Sequence, residues 1–485
     1  MSIVETRTAA THSPASVGRN AAILAAATLF CKAGSFAVVP FILRAFSRQD
    51  YGAYSAAFAY AGLLGMFAYF GMNPIVIRDI ARGERAKGWV LFHCTALRVV
   101  FLAASAVGLV ILGYFQHFSP LMWTLAWTAF AVMSFDAVSG ALKASMQAEG
   151  RFGLMASVEV VRKAGQWILA IAVILAGAGI TMLALAAAAA GLVSMFAALY
   201  MGMSRQDFAD MGFAPQYAVR MLRLAAPMGV SAAFLLALER VDIWVLDSLR
   251  GVEEVGIYAA GTAFKPDFLV QSVVWALMPL AFQLGKENRA ALASAVTRTA
   301  RYLLIIGAFI AIGFFSGGGT VLPLLAGGQY MDSIWVFRLM GLSVPFVFVS
   351  FLYLHALTAV DRQAVAMAIF AGGLAVNVVI DLALVPSMGA TGAIIGTLST
   401  EILIAVAAFF CVRRFVGSAF KRRDMATLIC VAAAAGVTAI VGLQGVRDLG
   451  AIAMAVFAVA LVGFKAVTGD DLRALVGSFL PKYRR

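Results

Sequence analysis

The chain has 485 residues, 62% of them hydrophobic and only 13% charged, with a formal net charge of +13. A soluble fold of this size has to turn charged and polar side chains to water, so this composition excludes one. The apolar runs last roughly 20 to 28 residues, enough to cross about 30 Å of hydrocarbon as helices, and the alternating segments of about 10 residues that a membrane barrel needs are missing.

In chain order, the polar opening MSIVETRTAATHSPASVGRN carries no short apolar core before a cleavage site. The first span is therefore expected to act as its own insertion signal, behind a cytoplasmic tail at 1–19. Apolar runs predict spans at 20–46, 51–80, 89–115, 121–147, 153–176 and 181–203, which form a first lobe over 20–203. A connection at 204–217 leads to a second lobe over 218–416, with spans at 218–248, 255–284, 292–316, 334–360, 363–386 and 390–415. Two further spans, 424–443 and 449–468, fill 417–468 before a cytoplasmic tail at 469–485. The expected fold is thus an all-α polytopic membrane protein of about 14 transmembrane helices.

The distribution of charge tests this count. Alternate connections carry Arg82, Arg85 and Lys87; Arg151; Arg205; Lys286 and Arg289; Arg362; and Lys421, Arg422 and Arg423. The remaining connections, YFQHFSP, LAGAGIT, SGGGTVLPLLAGGQYMDS and PSMGAT, hold no Lys or Arg, and only Arg48, Arg250 and Arg447 break the pattern. Positive residues favour the cytoplasmic side, so both termini are expected inside. The net positive charge is accounted for by topology, and no nucleic-acid partner is expected.

Two segments of the chain resemble each other. SRQDYGAYSAA aligns with GVEEVGIYAAG, pairing Asp50 with Glu254, Gly52 with Gly256, Tyr54 with Tyr258 and Ala56 with Ala260. QAEGR at Gln147–Arg151 aligns with TAVDR at Thr358–Arg362. The offsets, 204 and 211 residues, agree on a repeat of six spans. An even repeat keeps both copies in the same orientation, which predicts two lobes related by an axis along the membrane normal, with substrate bound between them.

Cys31, Cys94, Cys411, Cys430 and the four histidines are scattered, without metal-ligand spacing, and no catalytic motif is present. What stands out is charge inside the spans. The first lobe holds Lys32, Arg98, Asp136, Lys143, Glu159, Arg162 and Lys163; the second holds Glu239, Arg240, Asp242, Asp247, Lys265, Asp267, Arg338, Asp381 and Glu401. Such groups must pair, snorkel or face a wet cavity. Lys32 is too deep to snorkel easily. The charges of LERVDIWVLD fall on one side of the seventh span, within an arc of about 160°. Glu239, Asp242, Asp136 and Glu401 are candidates for either ion coupling or structural pairing, and Pro266 predicts a kink.

EEVGIYAAG behind the charged helix, LRAFSRQDYGAYSAAFAYAGLLGMFAYFGMNPIVIRDIAR, LLAGGQYMDSIWVFRLMG and NVVIDLALVPSMGATGAIIGTLSTEI together resemble the oligosaccharide flippase, or polysaccharide transporter, family. That family belongs to the multidrug/oligosaccharidyl-lipid/polysaccharide exporter superfamily. The resemblance covers about residues 20–416. It implies a flippase that moves an undecaprenyl-pyrophosphate-linked oligosaccharide from the inner to the outer leaflet. No cofactor is implied, although coupling to a proton or sodium gradient or to the membrane potential is. The implied partners are the lipid-linked oligosaccharide, membrane lipids and other polysaccharide-assembly membrane proteins. Lys32, Arg98 and Arg240, followed by Lys143, Lys265 and Arg338, are the expected anion contacts. A cation-coupled multidrug extruder is the nearest alternative, and an integral-membrane polymerase or glycosyltransferase the next.

Overall fold

A computed structural model describes residues 14–83, 85–417 and 457. The expected spans at 424–443 and 449–468, apart from Phe457, and the C-terminal tail lie outside the described residues. Fifteen helices and one 3-10 turn make up the described fold, with no strand among them. They are α1 (Pro14–Ala45), α2 (Arg48–Tyr69), α3 (Met72–Ala81), α4 (Lys87–Phe115), α5 (Pro120–Ala148), α6 (Phe152–Leu175), α7 (Ile180–Gly202) and α8 (Arg205–Ala209). The chain continues through α9 (Pro215–Arg250), α10 (Val252–Thr262), α11 (Asp267–Glu287), α12 (Arg289–Ala326), α13 (Ile334–Ala359), α14 (Gln363–Met388) and α15 (Ala390–Phe415).

Hydrocarbon offers no hydrogen bonds, so each spanning segment has to satisfy its backbone internally, and only its ends need side-chain help. Ser47 accepts the Asp50 N–H at 3.1 Å to start α2, Ser119 accepts the Met122 N–H at 3.2 Å to start α5, and Asn288 accepts the Ala291 N–H at 3.0 Å to start α12. Nine segments among the described residues are long and apolar enough to cross a membrane, and two bent pairs raise this to eleven. The bends are 44° in α9, in the turn after Pro227 that contains Gly229, and 52° in α11 across the stretch holding Pro279. Between α10 and α11 the helix is interrupted, with Pro266 as the residue before α11, so the expected kink is a full break. α6 holds Glu159, Arg162 and Lys163 and is not among these eleven, yet its 24 residues rise about 36 Å. Every span expected between 20 and 415 is met by a helix or a broken helix.

The described residues form two compact units. One runs to Ala259 and includes Leu374–Ala393. Its centre is α5, whose Ala126, Ala129, Ala137, Gly140 and Ala141 are buried and small enough to let neighbouring helices close in. The other takes Ala260–Gly373 and continues from Ile394; its α12 and α13 pack along their length, with Phe314 and Phe337 stacked at 4.4 Å.

The connection between the sixth and seventh spans is held by the first unit. Ser204 and Asp207 form a reciprocal cap at the start of α8, and Lys87 reaches both Asp207 (3.1 Å) and Glu149 (2.8 Å). Partial burial acts to raise the Asp207 carboxyl, but the Ser204 N–H and hydroxyl and the Lys87 ammonium outweigh it and hold it below the usual aspartate value. Further on, the Ala214 N–H donates to His93 Nε2 at 2.8 Å and the Tyr217 hydroxyl donates to Asp79 at 2.8 Å.

The repeated segments meet each other. A Cβ on Gly52 would lie 1.8 Å from the Val252 carbonyl oxygen, and a Cβ on Gly256 would lie 2.0 Å from the Arg48 carbonyl oxygen. Arg48 and Val252 are themselves equivalent in the repeat, so the contact is reciprocal, as across a two-fold axis. Only glycine permits two helix starts to cross this closely. Next to this crossing, the Tyr60 hydroxyl donates to Asp247 at 2.6 Å and the Gln116 amide to Ser248 at 3.0 Å.

Candidate functional site

Charged residues of the fourth and fifth spans meet at one locus, between α5 and α6 and beside α1. Lys143 Nζ sits 2.9 Å from Glu159, while the Arg162 guanidinium bridges Asp136 at 3.3 Å and Glu159 on its own helix. Asp136 and Lys143 lie two turns apart on α5, and Glu159 and Arg162 one turn apart on α6, so each pair shares a helix face. These four side chains are half-buried. Both acids are thereby matched, one for one, by Lys143 and Arg162.

Two cations are left over. Lys163 Nζ has only the Gln166 side-chain oxygen, at 3.4 Å, and neither Lys163 nor the exposed Lys32 has a carboxylate within ion-pair range among the described residues. Cys31, beside Lys32, packs its thiol toward the Glu159 carbonyl at 3.9 Å, which ties this stretch of α1 to α6. The locus therefore carries a surplus of two positive charges in a half-wet setting, a fit for a doubly charged anion rather than for a cationic ligand.

The other expected anion contacts fall elsewhere. Arg98 is fully buried; its guanidinium donates to the Ala137 carbonyl and, at 2.5 Å, to Asn73, over the Tyr69 ring. Arg240 and Glu239 are exposed on α9 without a hydrogen bond or ion pair among the described residues. Lys265 pairs with Asp267 at 3.3 Å, and Arg338 stacks over Trp335 at 5.1 Å and Phe315 at 5.7 Å. Glu401 is half-buried on α15. Of the six, only Lys32 and Lys143 join the locus. Lys163 completes it, and its signal in the sequence was the imbalance of α6, two cations to one acid.

A second cluster lies around α9, α10 and α14. Asp242 is 4% exposed and accepts the Tyr258 hydroxyl. Asp381, fully buried, faces the Asp242 carboxyl, and neither of its oxygens meets an N–H or O–H donor among the described residues. One turn earlier, the buried Asn377 leaves its side-chain oxygen equally without a donor. Two adjacent carboxyls cannot both stay ionised out of water without a proton or a cation between them. This oxygen-rich pocket can take a proton or a small monovalent cation. Among the described residues no group of three or more His, Cys, Asp and Glu side chains is placed to bind a metal.

The comparisons with known proteins agree with this architecture. A lipid II flippase MurJ in an inward closed conformation superposes with a TM-score of 0.71 at 12% identity, over 93% of this chain and 99% of that one. A multidrug resistance MATE family transporter in an inward-facing conformation gives 0.60 at 14% identity, over 79% of this chain and 94% of its own. A superfamily transporter from Pyrococcus furiosus, described by the reverse polarity of its binding pocket, gives 0.57 at 15% identity, over 82% and 95%. At these identities the likeness is one of fold. No curated protein matches the sequence. The model of the family described as "Polysaccharide biosynthesis protein" matches residues 17–284, more than half of the chain. That match places the chain in the polysaccharide biosynthesis protein family, with a fold shared by a lipid flippase and multidrug transporters.

Proposed function

We propose that this multi-pass membrane protein flips an undecaprenyl-pyrophosphate-linked oligosaccharide from the inner to the outer leaflet of a bacterial inner membrane. The two lobes alternate access around a polar cavity, and both termini are cytoplasmic. The observation that carries this reading is the unmatched pair Lys32 and Lys163 beside a neutralised set of acids. Each phosphate of a doubly esterified pyrophosphate bears one negative charge, so the two ammonium groups match it, while the prenyl chain stays in the bilayer. The oxygen pocket of Asp242, Asp381 and Asn377 supplies the coupling site, for a proton or sodium ion.

The test is deletion of the gene followed by lipid analysis. Oligosaccharide-lipid should accumulate on the cytoplasmic leaflet, and Lys32→Ala with Lys163→Ala should reproduce this at normal protein levels. Unchanged lipid pools would sink the reading. The second reading, a cation-coupled multidrug extruder, draws on the buried acids and on the fold shared with a multidrug transporter. It predicts altered drug sensitivity on deletion, with no lipid accumulation. Association with other polysaccharide-assembly proteins would follow from the first reading alone.

A further inference from the structure

We propose that Trp167, held by Ser35 and Gly34, is the platform on which the first sugar of the headgroup stacks, and so a specificity-determining residue. This rests on the flippase reading above. Trp167 stands one turn beyond Lys163 on α6, where i and i+4 side chains are neighbours about 6 Å apart. The sugar next to the pyrophosphate is only a bond or two from the anion, so its binding surface has to lie within such a distance of the surplus cations.

The indole is fixed in plane. Its N–H donates to Ser35 Oγ at 3.3 Å, and Ser35 Oγ donates in turn to the Cys31 carbonyl at 2.9 Å. One face of its benzo ring is seated on α1, where a Cβ at Gly34 would come within 2.2 Å of Cη2. The Phe30 ring, tilted by 60° with its centroid at 5.5 Å, limits further rotation. The indole nevertheless remains half-buried rather than sealed. It stands about 12 Å from the nearer end of α6, inside the depth at which tryptophans anchor a helix to the interface.

A pyranose ring offers a flat C–H face with hydroxyls around its rim. It suits a rigid aromatic surface flanked by hydrogen-bonding groups. Gln166, whose oxygen already accepts from Lys163, supplies such a group at the junction of sugar and phosphate. Preorganisation of the indole lowers the ordering cost of binding.

The full chain in nanodiscs is titrated with undecaprenyl pyrophosphate and with the same lipid carrying a single N-acetylhexosamine. The sugar should tighten binding by about tenfold. Trp167→Leu should abolish that increment and leave the affinity for undecaprenyl pyrophosphate unchanged, which also shows that the variant is folded. Trp167→Phe should keep about a third of the increment, and decides the matter if the leucine variant does not fold. An increment unaffected by these substitutions, or absent from the wild type, overturns the proposal while the phosphate site stands. Lys32→Ala with Lys163→Ala should weaken binding of both lipids. If it weakens neither, the phosphate site falls and takes the platform with it.

Discussion

Two kinds of membrane cation occupy the first unit, and what surrounds them separates their roles. Arg98 is enclosed, its donors spent on a backbone carbonyl and on Asn73. Replacing it with methionine should cost about 3 kcal/mol or more, since buried partners are left without donors. Thermal unfolding and membrane abundance should drop while the surviving protein binds undecaprenyl pyrophosphate normally; a stable variant that loses lipid binding would return Arg98 to the substrate site. Lys32→Ala should do the opposite. The sequence shows that both are cations inside a span, but not which one meets a carbonyl, because that carbonyl belongs to α5, 39 residues away. Asp207 makes a pH-dependent contribution. Its carboxyl is held below the usual aspartate value of about 3.9, so its stabilisation is complete above that pH and fades as pH falls through the lower folded value. Asp207→Asn should therefore lower the melting temperature at pH 7, with the gap from wild type closing in strong acid. A constant gap across pH would show that the carboxylate charge contributes nothing.

At the scale of elements, the crossing of α2 and α10 is the contact that the proposed alternating access would have to undo. Gly52 and Gly256 bring the helix starts together, and Tyr60–Asp247 and Gln116–Ser248 bind the same end. In the proposed topology, with both termini cytoplasmic, this is the outer end. With the four native cysteines replaced, Gln116→Cys and Ser248→Cys should form a cross-link that stops flipping, and reduction should restore it. Undiminished flipping in the cross-linked protein would mean that this end never opens. Gly52→Val should fail to close the crossing, leaving the outer end reactive toward an impermeant maleimide. The sequence placed these helices through the length of its apolar runs, which bilayer thickness dictates. It also paired Gly52 with Gly256, though only as equivalent positions. That the equivalent residues touch is a property of how the copies are arranged, which no local pattern encodes.

For the whole molecule, the question is what makes transport directional. The locus proposed for the phosphates and the acid pair lie on different helices, α1, α5 and α6 for one and α9, α10 and α14 for the other. The acids of the locus are already neutralised by Lys143 and Arg162, so an ion gradient gains little purchase there. Asp381 differs: its oxygens lack donors, and a second carboxyl faces it. In the proposed coupling, a proton or sodium ion bound there would remove the repulsion between the two carboxyls, so the two states would differ in energy by an amount set by the ion. Asp242 was legible in the sequence as a coupling candidate. Asp381 was visible only as one more charge in a span, because its partner lies 139 positions earlier. Asp381→Asn keeps the shape and removes the charge, so it should mimic the filled pocket. In proteoliposomes loaded with oligosaccharide-lipid, wild-type flipping should accelerate under an imposed proton or sodium gradient, whereas Asp381→Asn should flip at a rate independent of either gradient with headgroup affinity intact. A variant that responds to the gradient as the wild type does would move the coupling site elsewhere.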